Sequence, residues 1–177
     1  VIFTKNKNQI LYKTAYSYLL KLLPEDFDEM KLQKYFVGDR RDFNTLEDVF
    51  VQMLRSAQNY QQMPNVIKFS ERKYKVNELL FNYDFEKIAR LDVEELYQTF
   101  RREFNVTSED SKFSCWHKWS KSIIDTAKFM INFKDVEDFK KFVERFDYNV
   151  PTRMALPLLI STKICGLGFA LSCDFLK

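Results

Sequence analysis

Apolar residues recur every three or four positions along almost the whole chain, and no stretch alternates them strictly with polar ones. That is the period of a helix buried along one face. Leu11, Ala15, Tyr18, Leu19 and Leu22 make such a stripe over residues 8–23. Pro24 stops this helix and opens another, with Phe27, Met30 and Tyr35 as its inward positions. Gly38 to Asp42 reads as a charged turn. Thr45 followed by Asp48 resembles a capping box, in which each side chain satisfies the other residue's amide. The helix it opens turns Val49, Phe50, Met53, Leu54 and Ala57 inward and runs out in the amide-rich Gln58 to Gln62, before Pro64. One further helix is predicted over about residues 65–81, with Val66, Phe69, Val76 and Leu80 inward and a net basic middle.

Asp84 and Asp92 each cap a short helix, the first carrying Phe85, Ile88 and Leu91, the second Val93, Leu96, Tyr97 and Phe100. A polar loop follows from Asn105 to Lys112. Trp116 to Phe133 is a long amphipathic helix whose inward residues are Trp119, Ile123, Ala127 and Met130. Asp135 or Glu137 opens one more, with Phe139, Phe142, Val143 and Phe146 on one side. Asn149-Val150-Pro151 reads as a break, and Pro157 as the first turn of a helix that ends near Ile164. No Asn-Gly or Asp-Gly hairpin turn occurs. The expected fold is all-α, about ten short helices with tight links.

The chain holds three glycines, and two of them, Gly166 and Gly168, stand one residue apart. Apolar residues flank them at helical spacing: Leu159 and Ile164 before, Leu171, Phe175 and Leu176 after. The pattern predicts helix, tight turn, helix. Two readings stand side by side: a helix corner with no ligand, or an anion site at the free amides of Gly168, Phe169 and Ala170 at a helix N-terminus.

A chain of 177 residues with 46% hydrophobic and 30% charged content has the mass and composition for a packed core. Its formal net charge of +3 permits nucleic-acid binding through a local patch without demanding it. No apolar run reaches the length of a membrane span, and Val1 to Lys13 lacks the apolar region of a signal peptide. Cys115, Cys165 and Cys173 make no metal pattern, and His117 is the single histidine, so reduced thiols and an intracellular place (cytoplasm or nucleoid) are expected, with no metal and no cofactor. The usual enzyme signatures are missing: no phosphate-binding glycine loop, no His-Glu-x-x-His, no nucleophile elbow.

The segment from Ile164 to Ser172, with Gly166, Gly168 and then a small residue, resembles the helix-hairpin-helix motif. Val150 to Leu156, leading into it, is similar to the approach to that motif in the endonuclease III group of DNA glycosylases. Leu46 to Gln58, ending Arg55-Ser56-Ala57-Gln58, resembles the helix of those enzymes that ends in Leu-Ser-Ala-Gln. Leu80 to Ala89 and Lys121 to Ala127 fall between the two in the family's order. The resemblance covers about residues 45–177, which sets a helix-hairpin-helix glycosylase-like domain there and assigns residues 1–44 to N-terminal helices of a second lobe, with a cleft between the lobes.

The resemblance implies a monomer that binds double-stranded DNA and hydrolyses the N-glycosidic bond of a flipped damaged or mispaired base. The hairpin turn holds a DNA phosphate on backbone amides, often with a monovalent cation on turn carbonyls, and the glutamine enters the duplex. The DNA-facing set it implies is Gln58 and Asn59 at the helix end, and Lys163, Gly166, Leu167, Gly168, Phe169 and Ala170 at the hairpin. Members that also nick the strand carry a lysine two residues after the second glycine. Ala170 stands there, so a Schiff-base lyase step is not expected. The family's catalytic aspartate falls past Lys177, so no catalytic residue is assigned within the chain. Two other readings remain, a DNA-binding hairpin protein without chemistry and a helical interaction protein that binds no nucleic acid.

Overall fold

The computed structural model describes residues 2–22, 24, 30 and 42–176. The described residues form ten helices and no strand. The chain divides into two compact units, residues 1–41 with residue 177, and residues 42–176.

In the first unit α1 spans Ile2–Leu22, beginning earlier than its apolar stripe suggests. That stripe is not a buried face: Leu11, Ala15, Tyr18, Leu19 and Leu22 are all exposed. Met30, expected inward, is exposed as well. Phe27, Tyr35 and the turn at residues 38–41 lie outside the described residues.

The second unit holds α2 (Leu46–Gln58), α3 (Met63–Ile67), α4 (Phe69–Leu79), α5 (Phe85–Ala89), α6 (Val93–Glu103), α7 (Cys115–Met130), α8 (Val136–Glu144), α9 (Val150–Lys163) and α10 (Phe169–Phe175). Side-chain caps set most starts. The Thr45–Asp48 box closes in both directions, and Asp84, Asp92, Ser114 and Asp135 accept amide hydrogens of the turns they open. Each such cap satisfies donors that the first helical turn leaves without partners.

The core gathers around α7, which packs on α2, α3, α5, α6 and α9. Trp119 is fully buried; its Nε1–H donates to the Leu54 carbonyl at 3.3 Å, and its ring meets Phe69 and Phe100. Val49, Phe50, Met53, Leu54 and Ala57 of α2, with Ile123, Ala127 and Met130 of α7, are buried as the helical period requires. Burying side chains of this size gains about 1.5–3 kcal/mol each relative to exposure. Ser120, Ser122 and Thr126 are buried too, and Ser120 and Thr126 each return the hydroxyl hydrogen to a carbonyl one turn back, so small polar residues let neighbouring helices come close to α7.

Two boundaries differ from the sequence expectation. The helix expected over residues 65–81 is broken at Lys68, whose φ of 50° and ψ of 48° are left-handed. Val66 therefore turns to solvent, while Phe69, Val76 and Leu80 are buried. Two side chains satisfy it: Arg72 donates to the carbonyls of Val66 and Ile67, and Gln58 accepts the Phe69 amide. The second difference is at Asn149-Val150-Pro151, which begins a helix instead of breaking one. Asn149 and Thr152 cap each other, and Pro151 fits the first turn, where no amide is needed. Pro157, expected in that first turn, sits inside α9. The carbonyl that loses its helical partner is that of Arg153, on an exposed residue where water can satisfy it.

Candidate nucleic-acid interface

Residues 164–168 form the turn between α9 and α10, and the two glycines in it have different jobs. Gly166 has a φ of +83°, in the region that favours glycine. A Cβ built there would stand 2.8 Å from Ser122 Oγ and 3.9 Å from the Ala57 carbonyl oxygen. Gly166 is thus the point where the turn presses against α7 and the end of α2. Gly168 is exposed, has a φ of −64°, and a Cβ on it would meet nothing within 4 Å. It is the N-cap of α10 and has no side chain to cap with.

Helix α7 clamps the turn from below. Ser122 Oγ donates to the Cys165 carbonyl at 2.6 Å, and Asp125 Oδ2 accepts the Cys165 amide at 3.1 Å. From the other side the fully buried Leu167 anchors the turn in the core, and Ser172 Oγ donates to the Leu167 carbonyl at 3.2 Å. The Leu167 side chain is therefore in the core, and its amide donates to the Ile164 carbonyl at 3.2 Å. Burial pushes the Cys165 thiol up from its ordinary value, Asp125 adds to the push, and Lys121 and Lys118 oppose it. Both lysines are close enough to act electrostatically on the turn.

Fixed in this way, the turn presents its outer amides. No hydrogen bond among the described residues satisfies the N–H groups of Gly168, Phe169 and Ala170, and all three residues are exposed. Lys163 ends α9, and Lys118 and Lys121 are on α7; none of the three is ion-paired among the described residues. Lys118 lies 5.6 Å from the Tyr60 ring centroid in a cation–π contact. The turn offers three free amide donors, with the charges of Lys118 and Lys121 acting on its Cys165, and such donors suit a phosphate.

Gln58 and Asn59 lie at the end of α2, the helix whose Ala57 faces Gly166. Gln58 is half-buried, and its Oε1 accepts the Phe69 amide at 2.8 Å. It therefore caps α4, whose own N-cap Lys68 offers no acceptor. Asn59 is exposed, and its amide closes the helix onto the Ser56 carbonyl.

Ser122, Asp125, Lys118 and Lys121 complete the site; the resemblance marks the segment Lys121 to Ala127 but gives none of these residues a role. Their partners lie about forty residues away along the chain, which no local pattern reports. No group of three or more His, Cys, Asp or Glu side chains suited to a metal occurs among the described residues, and Cys115, Cys165 and Cys173 are free. No helix among them is long and apolar enough to cross a membrane. Comparison with protein families, with characterised proteins and with solved structures finds no match to this chain.

Proposed function

We propose that the protein binds double-stranded DNA through the turn from Gly166 to Ala170, as a helix-hairpin-helix protein of the DNA glycosylase type. In this reading it hydrolyses the N-glycosidic bond of a damaged or mispaired base and performs no lyase step. The observation that supports it best is the meeting of two distant stretches. The Gly-Leu-Gly turn lies against Ala57, inside the Ser56-Ala57-Gln58 end of α2, and these are the two segments that carry the resemblance to the glycosylases.

A phosphate at the turn would receive charge-assisted hydrogen bonds from the amides of Gly168, Phe169 and Ala170, with Lys163, Lys118 and Lys121 supplying charge around it. Helix α10 has seven residues, so the free amides contribute more than its dipole does. Gln58 keeps its amide nitrogen for a base edge, because its oxygen is already committed to Phe69. The chemistry rests on the resemblance alone. With Ala170 where the lyase lysine would stand, base removal leaves an intact abasic site.

Fluorescence anisotropy with a labelled duplex at low salt tests the binding. Affinity is expected to fall steeply as salt rises, since neutralised phosphates release counterions. Gly168→Val places side-chain bulk over the free amides at a position with open space. It is expected to weaken binding at least tenfold, about 1.4 kcal/mol, with an unchanged circular dichroism spectrum. Equal affinity for both proteins overturns the role of the turn. Incubation with duplexes carrying damaged or mispaired bases, followed by alkali, then reads the chemistry. Binding without base release identifies a hairpin protein that only binds DNA, and no binding at low salt identifies a helical protein with no nucleic-acid role.

A further inference from the structure

Beyond the hairpin, a hollow of about 590 Å³ opens between the C-terminal half of α7, α8 and the end of α9. The volume lies within the range of roughly 300–1,000 Å³ typical of small-molecule sites. Its lining offers three kinds of chemistry. Phe129, Phe133 and Phe142 form an aromatic cluster, with ring centroids 5.2 to 6.0 Å apart, and all three are only partly buried. Lys128, Arg145 and Lys163 line the same hollow, and none of them is ion-paired among the described residues. Asp125 and Asp138 bring acceptors: each has one oxygen committed to a backbone amide, of Cys165 and of Lys134, both at 3.1 Å. Asn132 adds another, since its Nδ2 is spent on the Lys128 and Phe129 carbonyls while its Oδ1 is left.

An apolar molecule would use the rings and waste the charges, and a bare anion would use the cations while facing two carboxylates. One ligand class uses all three sets. We infer that the hollow binds a free mononucleotide, with the base against Phe129, Phe133 and Phe142 and an exocyclic amino group donating to Asp125, Asp138 or Asn132. The phosphate meets Lys128, Arg145 and Lys163. The site centres on the C-terminal half of α7 and on α8, which the hairpin does not use, although Lys163 belongs to both this hollow and the DNA reading. It does share Asp125 with the clamp on Cys165, so occupancy bears on the turn.

Isothermal titration of the whole chain with adenosine monophosphate tests this, with adenosine and inorganic phosphate as separate probes. The nucleotide is expected to bind with Kd below about 1 mM, and each half-molecule at least tenfold more weakly. Lys128→Glu with Arg145→Glu changes two exposed side chains, and should lower nucleotide affinity at least tenfold while the circular dichroism spectrum is kept. Amide NMR shifts on titration should cluster in residues 125–145 and 159–163. No binding of the nucleotide, equal binding of inorganic phosphate alone, or an affinity untouched by the double substitution each overturns the assignment.

Discussion

Gly166→Ala separates what the hairpin does for the fold from what it does for a ligand. Two costs follow from the geometry. The residue must hold a φ of +83°, which costs a side-chain-bearing residue about 1–2 kcal/mol. Its Cβ would also stand 2.8 Å from Ser122 Oγ, closer than real Cβ atoms come. Ser122 has to move, and its 2.6 Å bond to the Cys165 carbonyl goes with it. Losing such a bond costs about 1 kcal/mol, and up to about 3 kcal/mol where the carbonyl is left dry. The expected total is about 2–5 kcal/mol, a large share of the roughly 5–15 kcal/mol that holds a domain together. Gly168→Ala meets open space at an ordinary φ and gives up only a preferred cap residue, so it is expected to cost about 1 kcal/mol or less. Urea unfolding followed by circular dichroism measures both. Ser122→Ala supplies the internal control: it removes the atom that collides, so Gly166→Ala with Ser122→Ala should cost less than the sum of the two single changes. A cost for Gly166→Ala no larger than that for Gly168→Ala, or strict additivity in the double variant, would refute this account of the turn.

Two further expectations concern stability. Lys68 is exposed and left-handed, so Lys68→Gly should stabilise the protein by about 0.5–1 kcal/mol in the same urea assay, and a loss of stability would contradict the strain assigned to it. At Asp48, slight desolvation pushes the carboxyl up, but hydrogen bonds from Thr45 and Asn44, with Lys73 nearby, outweigh it and hold the pKa below its ordinary 3.8. A pKa lowered on folding means stability that is present above pH 3.8 and lost as pH falls through the lower folded value. Asp48→Asn should therefore be less stable than the parent near neutral pH, by about 1 kcal/mol or less at so exposed a site. The gap should close below pH 3.8, and a gap that widens in acid would sink the assignment.

What the sequence determined by itself is what depends on neighbours within a turn or two. The Thr45–Asp48 box, the Asp84, Asp92 and Asp135 caps and the buried stripes of α2 and α7 are all local. Period and capping involve residues three or four apart, so they are legible without any fold. The gap between Gly166 and Gly168, one residue apart and alike on paper, was decided only by tertiary structure. One is pinned in a left-handed turn against Ser122 and Ala57, while the other stands open to solvent. The break at Lys68 carries no glycine, proline or cap to announce it. It exists because Gln58 and Arg72 satisfy the two helix ends it creates. The clamp of Ser122 and Asp125 on Cys165 was likewise invisible, since a serine and an aspartate on a helix face read as solvated until the partner strand of chain is placed beside them. Hydrogen bonds across forty residues are fixed by how helices pack, and packing is the one thing that a one-dimensional pattern does not contain.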